Sequence, residues 1–229
     1  MAATAAPLTI EIWSDVVCPW CYIGKRRFER ALARLGDDPD LDVDPDTDIY
    51  VSYRAFQLDP TAPPGVSQSV VDAYAEKFGG VERARVIMDQ VTTAAAGDGI
   101  EFRLDIARRS NTLLAHRLLW WAEQETSPVT QTALNEAILR AYFVEGRDVG
   151  DPTVLADVAA SVDAERDEVA GFLAGDGGRS EVAEQLERAA DLGITAVPTF
   201  VVNGRWGIPG AQDSDTFERL LRRLLTTGG

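Results

Sequence analysis

Apolar and polar positions first alternate with a period of two in Leu8-Thr9-Ile10-Glu11-Ile12-Trp13, whose β-branched residues fit a half-buried strand. After the turn Ser14-Asp15-Val16-Val17 the period lengthens. Phe28, Ala31, Leu32 and Leu35 recur at i, i+3, i+4 and i+7, which predicts a helix over Pro19 to Leu35 with proline at its first position. Ile49-Tyr50-Val51-Ser52-Tyr53-Arg54-Ala55-Phe56 returns to strand patterning, and the strand, helix, strand order fits a βαβ unit.

From Val66 to Leu192 the pattern is helical, without the fixed period of a repeat array. Helices are expected over Val70 to Phe78, Val81 to Ala96, Thr112 to Glu125, Thr130 to Val144, Thr153 to Val162, Glu165 to Ala174 and Ser180 to Leu192. Thr199-Phe200-Val201-Val202 then reads as a strand, Asn203-Gly204 as a hairpin turn, and Arg205-Trp206-Gly207-Ile208 as the returning strand. A last amphipathic helix aligns Phe217, Leu220, Leu221 and Leu224, with Asp213 or Ser214 as its cap. The expected class is therefore α/β, with residues 8-65 and 193-229 forming one domain and residues 66-192 a helical insertion between the βαβ unit and a C-terminal ββα unit.

Composition narrows the function. The 229 residues, 45% of them hydrophobic, suffice for a substantial core, and a net charge of -15 argues against nucleic acid as a partner, since phosphate binding requires a basic face. Acidic residues concentrate in Asp37 to Asp48, whose Asp and Pro content predicts a solvated connector. Met1 to Thr9 contains no Lys or Arg and no sustained apolar run, so neither a secretory signal nor a membrane span is expected and the chain reads as cytoplasmic.

Only two cysteines occur, in Cys18-Pro19-Trp20-Cys21, too few for a disulfide scaffold; with a single histidine, His116, they are also short of a closed zinc site, so no metal is expected. Disulfide exchange needs an exposed, partly ionised thiolate to attack and a second thiol to resolve the mixed disulfide. A pair at a helix start supplies both: Cys18 meets the positive end of the helix dipole, and Cys21 lies one turn further in. Cys18 is the expected nucleophile and Cys21 the resolving thiol, weighed against two inert buried cysteines. Pro19 and Trp20 are the expected redox-tuning residues, and the neutral indole makes the couple less oxidising than a histidine there would.

Ser14-Asp15-Val16-Val17-Cys18-Pro19-Trp20-Cys21-Tyr22-Ile23-Gly24-Lys25 resembles the active-site segment of the FrnE-like branch of the DsbA family of oxidoreductases. Gly193 to Phe200, Asn111 to Leu118 and Gly207 to Gln212 resemble further segments of that family, so the resemblance spreads over nearly the whole chain. It implies a thioredoxin-like fold with a large all-helical insertion, a cis Val197-Pro198 bond facing the cysteines, and a Val197 backbone that pairs with an extended substrate. The residues themselves also admit an ordinary trans proline opening a strand. The resemblance places Asn111 and His116 near the cleft as substrate-binding candidates; helical spacing equally suits a capping Asn111 and a core His116.

Some relatives carry a second cysteine pair near the C-terminus. This chain has none, so recycling is expected from outside, by glutathione or a dithiol protein, with no bound cofactor and with protein or small-molecule thiols as partners. A competing reading is a glutathione-dependent isomerase or kappa-type transferase, relatives that usually place serine where Cys18 stands. A dithiol metal-binding protein or chaperone is a third, disfavoured by the Val197-Pro198 loop.

Overall fold

The computed structural model describes residues 7–39, 41 and 49–227, so most of the acidic connector predicted over 37–48 lies outside the described residues. In chain order the elements are β1 (Leu8–Ser14), α1 (Pro19–Gly36), β2 (Ile49–Ala55), β3 (Gln68–Ser69), α2 (Val70–Phe78), α3 (Val81–Gly97), β4 (Arg108–Arg109), α4 (Leu113–Glu123), α5 (Gln131–Phe143), α6 (Pro152–Ala160), α7 (Arg166–Ala174), α8 (Arg179–Asp191), β5 (Thr199–Val202), β6 (Trp206–Pro209) and α9 (Ser214–Thr227).

The main sheet has the order β2-β1-β5-β6. β1 runs parallel to β2, from Leu8 opposite Ile49 to Ser14 opposite Ala55, and antiparallel to β5, with Ile12 opposite Phe200. The β5–β6 turn uses Asn203 (φ 49°) and Gly204 (φ 65°), two residue types that tolerate the left-handed region. The outer edge of β2 is closed by side-chain amides. Gln131 accepts the Tyr53 N–H at 2.7 Å and donates to the Tyr53 carbonyl at 3.0 Å, while Gln185 accepts the Ala55 N–H at 2.8 Å. These bonds satisfy backbone groups that an open edge would offer to another chain.

Two cores share the α1 helix. Phe28, Phe200 and Phe217 meet with ring centroids 4.6–5.5 Å apart between the sheet, α1 and α9. Tyr22 and Ile23, near the start of α1, instead join the core of the helical part, where Tyr22 lies 6.0 Å from Phe102 and Phe102 stacks on Phe143 at 4.5 Å. Burial of large side chains, each worth about 1.5–3 kcal/mol, thus fixes the first turns of α1 from both sides.

An ionic cluster around the buried Lys25 adds to this. Lys25, 3% exposed, bonds Glu29 at 2.5 Å and Glu136 of α5 at 2.6 Å, and Glu136 also accepts from Tyr22 Oη at 2.7 Å and Arg26 at 2.6 Å. Burial alone would raise the Glu136 carboxyl, but Lys25, Tyr22 and Arg26 outweigh it and hold the group below its ordinary value.

The helices fall where periodicity predicts them, with ends displaced by up to two residues. α6 begins at Pro152 rather than Thr153 because the Asp151 side chain accepts the Thr153 N–H at 2.7 Å and proline suits the first helical position. Asp213 caps α9 by accepting the Thr216 N–H at 2.7 Å. The 66–192 region departs from wholly helical in one detail: Gln68 and Ser69 pair antiparallel with Arg109 and Arg108. A two-residue ladder is too short to leave a period in the sequence.

Glu136→Gln is expected to lower the unfolding free energy at neutral pH by about 2 kcal/mol, because it leaves the buried Lys25 with Glu29 alone. A carboxyl held low in the folded state stabilises above its unfolded value of 4.5 and loses that contribution as pH falls through the lower folded value. Urea unfolding should therefore show the two proteins converging below about pH 4.5; a difference constant with pH would assign the cluster to packing rather than charge.

Candidate active site

The strand β1 delivers the chain to the site, and α1 begins there because Pro19 sets the first helical φ. Cys18 is the N-cap residue. No side chain caps this helix, and its first turn carries no acidic residue, so nothing competes with the Cys18 sulfur for the positive helix end. The turn is closed by backbone: the Cys18 N–H reaches the Asp15 carbonyl and the Cys21 N–H the Cys18 carbonyl, both at 3.0 Å.

Cys18 and Cys21 are free thiols that approach to 3.4 Å. Sequence reasoning expects an exposed Cys18, but it is only 4% exposed, against 3% for Cys21. The loop ahead of β5 covers it, with the Cys18 Sγ donating to the Val197 carbonyl at 3.7 Å. The Val197–Pro198 peptide is cis. Pro198 is tied to the end of the hairpin, its carbonyl accepting the Gly210 N–H at 2.8 Å. Trp20, 43% exposed, turns its ring outward, while Pro19 is buried.

The two thiols differ in environment. Burial pushes Cys21 well above the ordinary thiol value, and the hydrogen bond and charge of the adjacent Cys18 sulfur add to it; the Ser14 hydroxyl and the Asp15 backbone N–H pull the other way. Cys21 is thus held as a neutral thiol.

Beside Cys18 lies a cavity of about 510 Å³, bordered by Asp15, Val17, Tyr74, Lys77, Arg109 and Tyr142. Burial and the neighbouring Cys18 raise the Tyr74 phenol to about 12, so it stays a neutral donor. Arg109 is ion-paired with Asp59 on the wall. His116 is buried against Asp15, with Nε2 3.3 Å from Oδ1. Asn111 ties loops together: its Nδ2 donates to the Ala62 carbonyl at 2.7 Å and its Oδ1 accepts the Leu113 N–H at 2.9 Å.

The structure therefore brings Cys18, Cys21, Pro19, Trp20, Val197 and Pro198 together, and puts His116 and Asn111 in the scaffold beside the cavity. Phe200 belongs to the aromatic core and Trp206 is 51% exposed on β6. Sequence reasoning passed over Asp15 and Tyr74. Asp15 lay inside the motif as an acidic residue between strand and helix that caps neither; Tyr74 reaches the site only through tertiary packing.

A dithiol at an uncapped helix start, faced by a backbone carbonyl from a neighbouring loop, lies here on a thioredoxin-like fold. The chain belongs to the DSBA-like thioredoxin domain family, whose model matches residues 9–222. It is similar to the probable DsbA oxidoreductase SCO1869 from Streptomyces coelicolor, at 34% identity and a TM-score of 0.82 over 94% of this chain and 89% of that one. Cytosolic disulfide reductase DsbM from Pseudomonas aeruginosa shares the fold at 18% identity and a TM-score of 0.65, over 96% and 99% of the two chains. So does 2-hydroxychromene-2-carboxylate isomerase, at 17% identity and a TM-score of 0.64, over 96% and 97%. Among the described residues no helix is long and apolar enough to cross a membrane.

Gly24 sets the distance between α1 and the covering loop. A Cβ there would stand 3.0 Å from Pro198 Cγ and 3.3 Å from Ala211 Cβ. Gly24→Val is expected to cost about 2 kcal/mol of stability by overpacking and to change the rate at which Cys18 reacts with an aryl disulfide, because Val197 and Pro198 must move outward. Urea unfolding and stopped-flow absorbance check both; unchanged values would mean that the loop yields freely.

Proposed function

We propose that the protein is a thiol-disulfide oxidoreductase working through Cys18 and Cys21 on protein or small-molecule thiols. The observation that carries this reading is the asymmetric pair: Cys18 at the uncapped start of α1 and Cys21, 3.4 Å away, held neutral by burial. The Cys18 thiolate attacks a substrate disulfide, a Cys18–substrate bond forms, and the first substrate sulfur leaves as a thiolate that takes up a proton. Cys21 then loses its proton and attacks the Cys18 sulfur, closing Cys18–Cys21 and releasing the second substrate sulfur. The substrate gains two electrons and the pair loses two.

No bound cofactor is required. Glutathione or a dithiol protein restores the reduced pair, and in a cytoplasm that keeps thiols reduced the net direction is reduction or isomerisation of substrates. The Val197 backbone, beside Cys18 at the strand opening, is the docking edge for an extended substrate segment. Pro19 and the neutral Trp20 tune the potential.

The cavity favours a second reading, a glutathione-dependent isomerase, because its volume and mixed lining suit a small organic substrate. Cys21 separates the two. In the oxidoreductase, Cys21→Ser stops turnover and accumulates a mixed disulfide at Cys18, visible by mass after incubation with a disulfide-bonded protein, while Cys18→Ser captures nothing. An isomerase keeps its activity in Cys21→Ser, and that result, with no mixed disulfide, would replace the first reading by the second.

A further inference from the structure

The exchange steps leave the segment Gly207 to Gln212 without a role. It runs past the β5–β6 pairing, which ends with Thr199 opposite Pro209, and then folds back on itself. The Gln212 N–H reaches the Gly210 carbonyl at 3.0 Å, Gln212 Nε2 donates to the Pro209 carbonyl at 2.6 Å, and Gly210 takes a φ of 76°. These bonds shape the turn but do not place it. Placement comes from α1: Gly24 leaves room for Ala211, and Arg27, three residues on and so on the same side of the helix, donates from Nη1 to the Ala211 carbonyl at 2.9 Å.

Arg27 is itself held. Its Nε donates to Asp98 Oδ2 at 2.7 Å, while Arg30 Nη1 reaches the other carboxylate oxygen at 3.2 Å. Asp98 is 7% exposed and stands at the C-terminal end of α3, where the helix dipole disfavours a carboxylate. An acid that weakens its own helix end is accounted for by the arginines it grips. Because the guanidinium is planar, a carboxylate on Nε also fixes the direction of the Nη1 donors, and here one of them points at Ala211.

We propose that Arg27, oriented by Asp98, is a positioning residue for disulfide exchange: it holds the 210–212 turn against α1 and so keeps the Val197 backbone at Cys18 as a docking edge. This rests on the exchange reading above. Each link is a direct contact. Beside the Ala211 carbonyl that Arg27 holds, the Gly210 N–H donates to the Pro198 carbonyl at 2.8 Å, and Val197, the residue before, accepts from Cys18 Sγ at 3.7 Å. Without Arg27 the loop keeps its β5–β6 pairing, but its far end is free to lift from Gly24. Capture of an extended segment then weakens, and Cys18, 4% exposed beneath the loop, is uncovered.

Arg27→Met keeps much of the apolar stem and removes the donors. Reduced protein is mixed with an extended peptide whose single cysteine is joined to thionitrobenzoate, and release of the chromophore is followed against peptide concentration. The half-saturating concentration is expected to rise about tenfold, the low end of what a hydrogen bond to a charged group contributes, with far less change in the limiting rate. Alkylation of Cys18 by iodoacetamide, read by mass, should become faster. Asp98→Leu should reproduce both shifts, and the double variant should go no further than either single one, as for residues that act as a unit. Arg30→Gln removes the other ion pair of Asp98 without touching Ala211 and should behave as the parent. Arg27→Lys keeps the charge but gives up the fork, and reports in the same direction where Arg27→Met does not fold. Parental half-saturation and parental alkylation in folded Arg27→Met, or a fall in limiting rate alone, overturns the proposal. A parent protein that releases no chromophore from the peptide would instead sink the exchange reading, and the alkylation rates would still decide whether Arg27 holds the loop over Cys18.

Discussion

The first turn of α1 leaves backbone N–H groups that no side chain claims, and Cys18 is the residue at that helix start. Every other feature of the site serves to keep that arrangement in place. Pro19 starts the helix without a donor of its own, the absence of acidic residues in the first turn leaves the positive end unneutralised, and the Asp15 carbonyl fixes the Cys18 backbone. A thiolate is the charge such a helix end favours, and a neutral second thiol one turn deeper is the partner that exchange chemistry requires.

Holding a helix end at a reactive site requires fixing the helix along its length, and α1 is fixed by two cores at once. Phe28 anchors it to the sheet and α9, whereas Tyr22 and Ile23 anchor it to the helical part. The Lys25–Glu136 cluster ties the same turn to α5 with charge-assisted bonds. The helical part therefore contributes more than a cavity wall: through α4 and α5 it presents His116 to Asp15 and Glu136 to Lys25. Gly24 lets the opposite side of the helix approach Pro198, so the covering loop sits against the sulfurs rather than above them.

Much of this could be read from residue patterns. The period-two run in β1, the 3.6-residue period of α1 and the helices from α2 to α8, and Asn203-Gly204 as a turn are all local signals, and the fold retains them. Helix ends shifted where caps decide, as at Asp151 and Pro152. What the pattern did not carry was non-local: the β3–β4 ladder, the closure of β2 by Gln131 and Gln185, the Asp15–His116 contact, and Tyr74 beside Cys18. The burial of Cys18 is non-local in the same way, because the Val197 loop that covers it comes from the far end of the chain. The positions of both cysteines at the strand-to-helix junction, in contrast, follow from the sequence alone.

The central claim is that Cys18 and Cys21 form one reversible redox couple. Its most direct test is equilibration of the protein in glutathione buffers of graded potential, followed by alkylation of free thiols and measurement of intact mass. The account predicts a single two-electron transition, with both thiols lost together and no added mass from glutathione, at a potential between about -120 and -270 mV, the span of known exchangers. Thiols that stay reduced in every buffer, or a protein that takes up glutathione on Cys18 without closing the bond to Cys21, would contradict it.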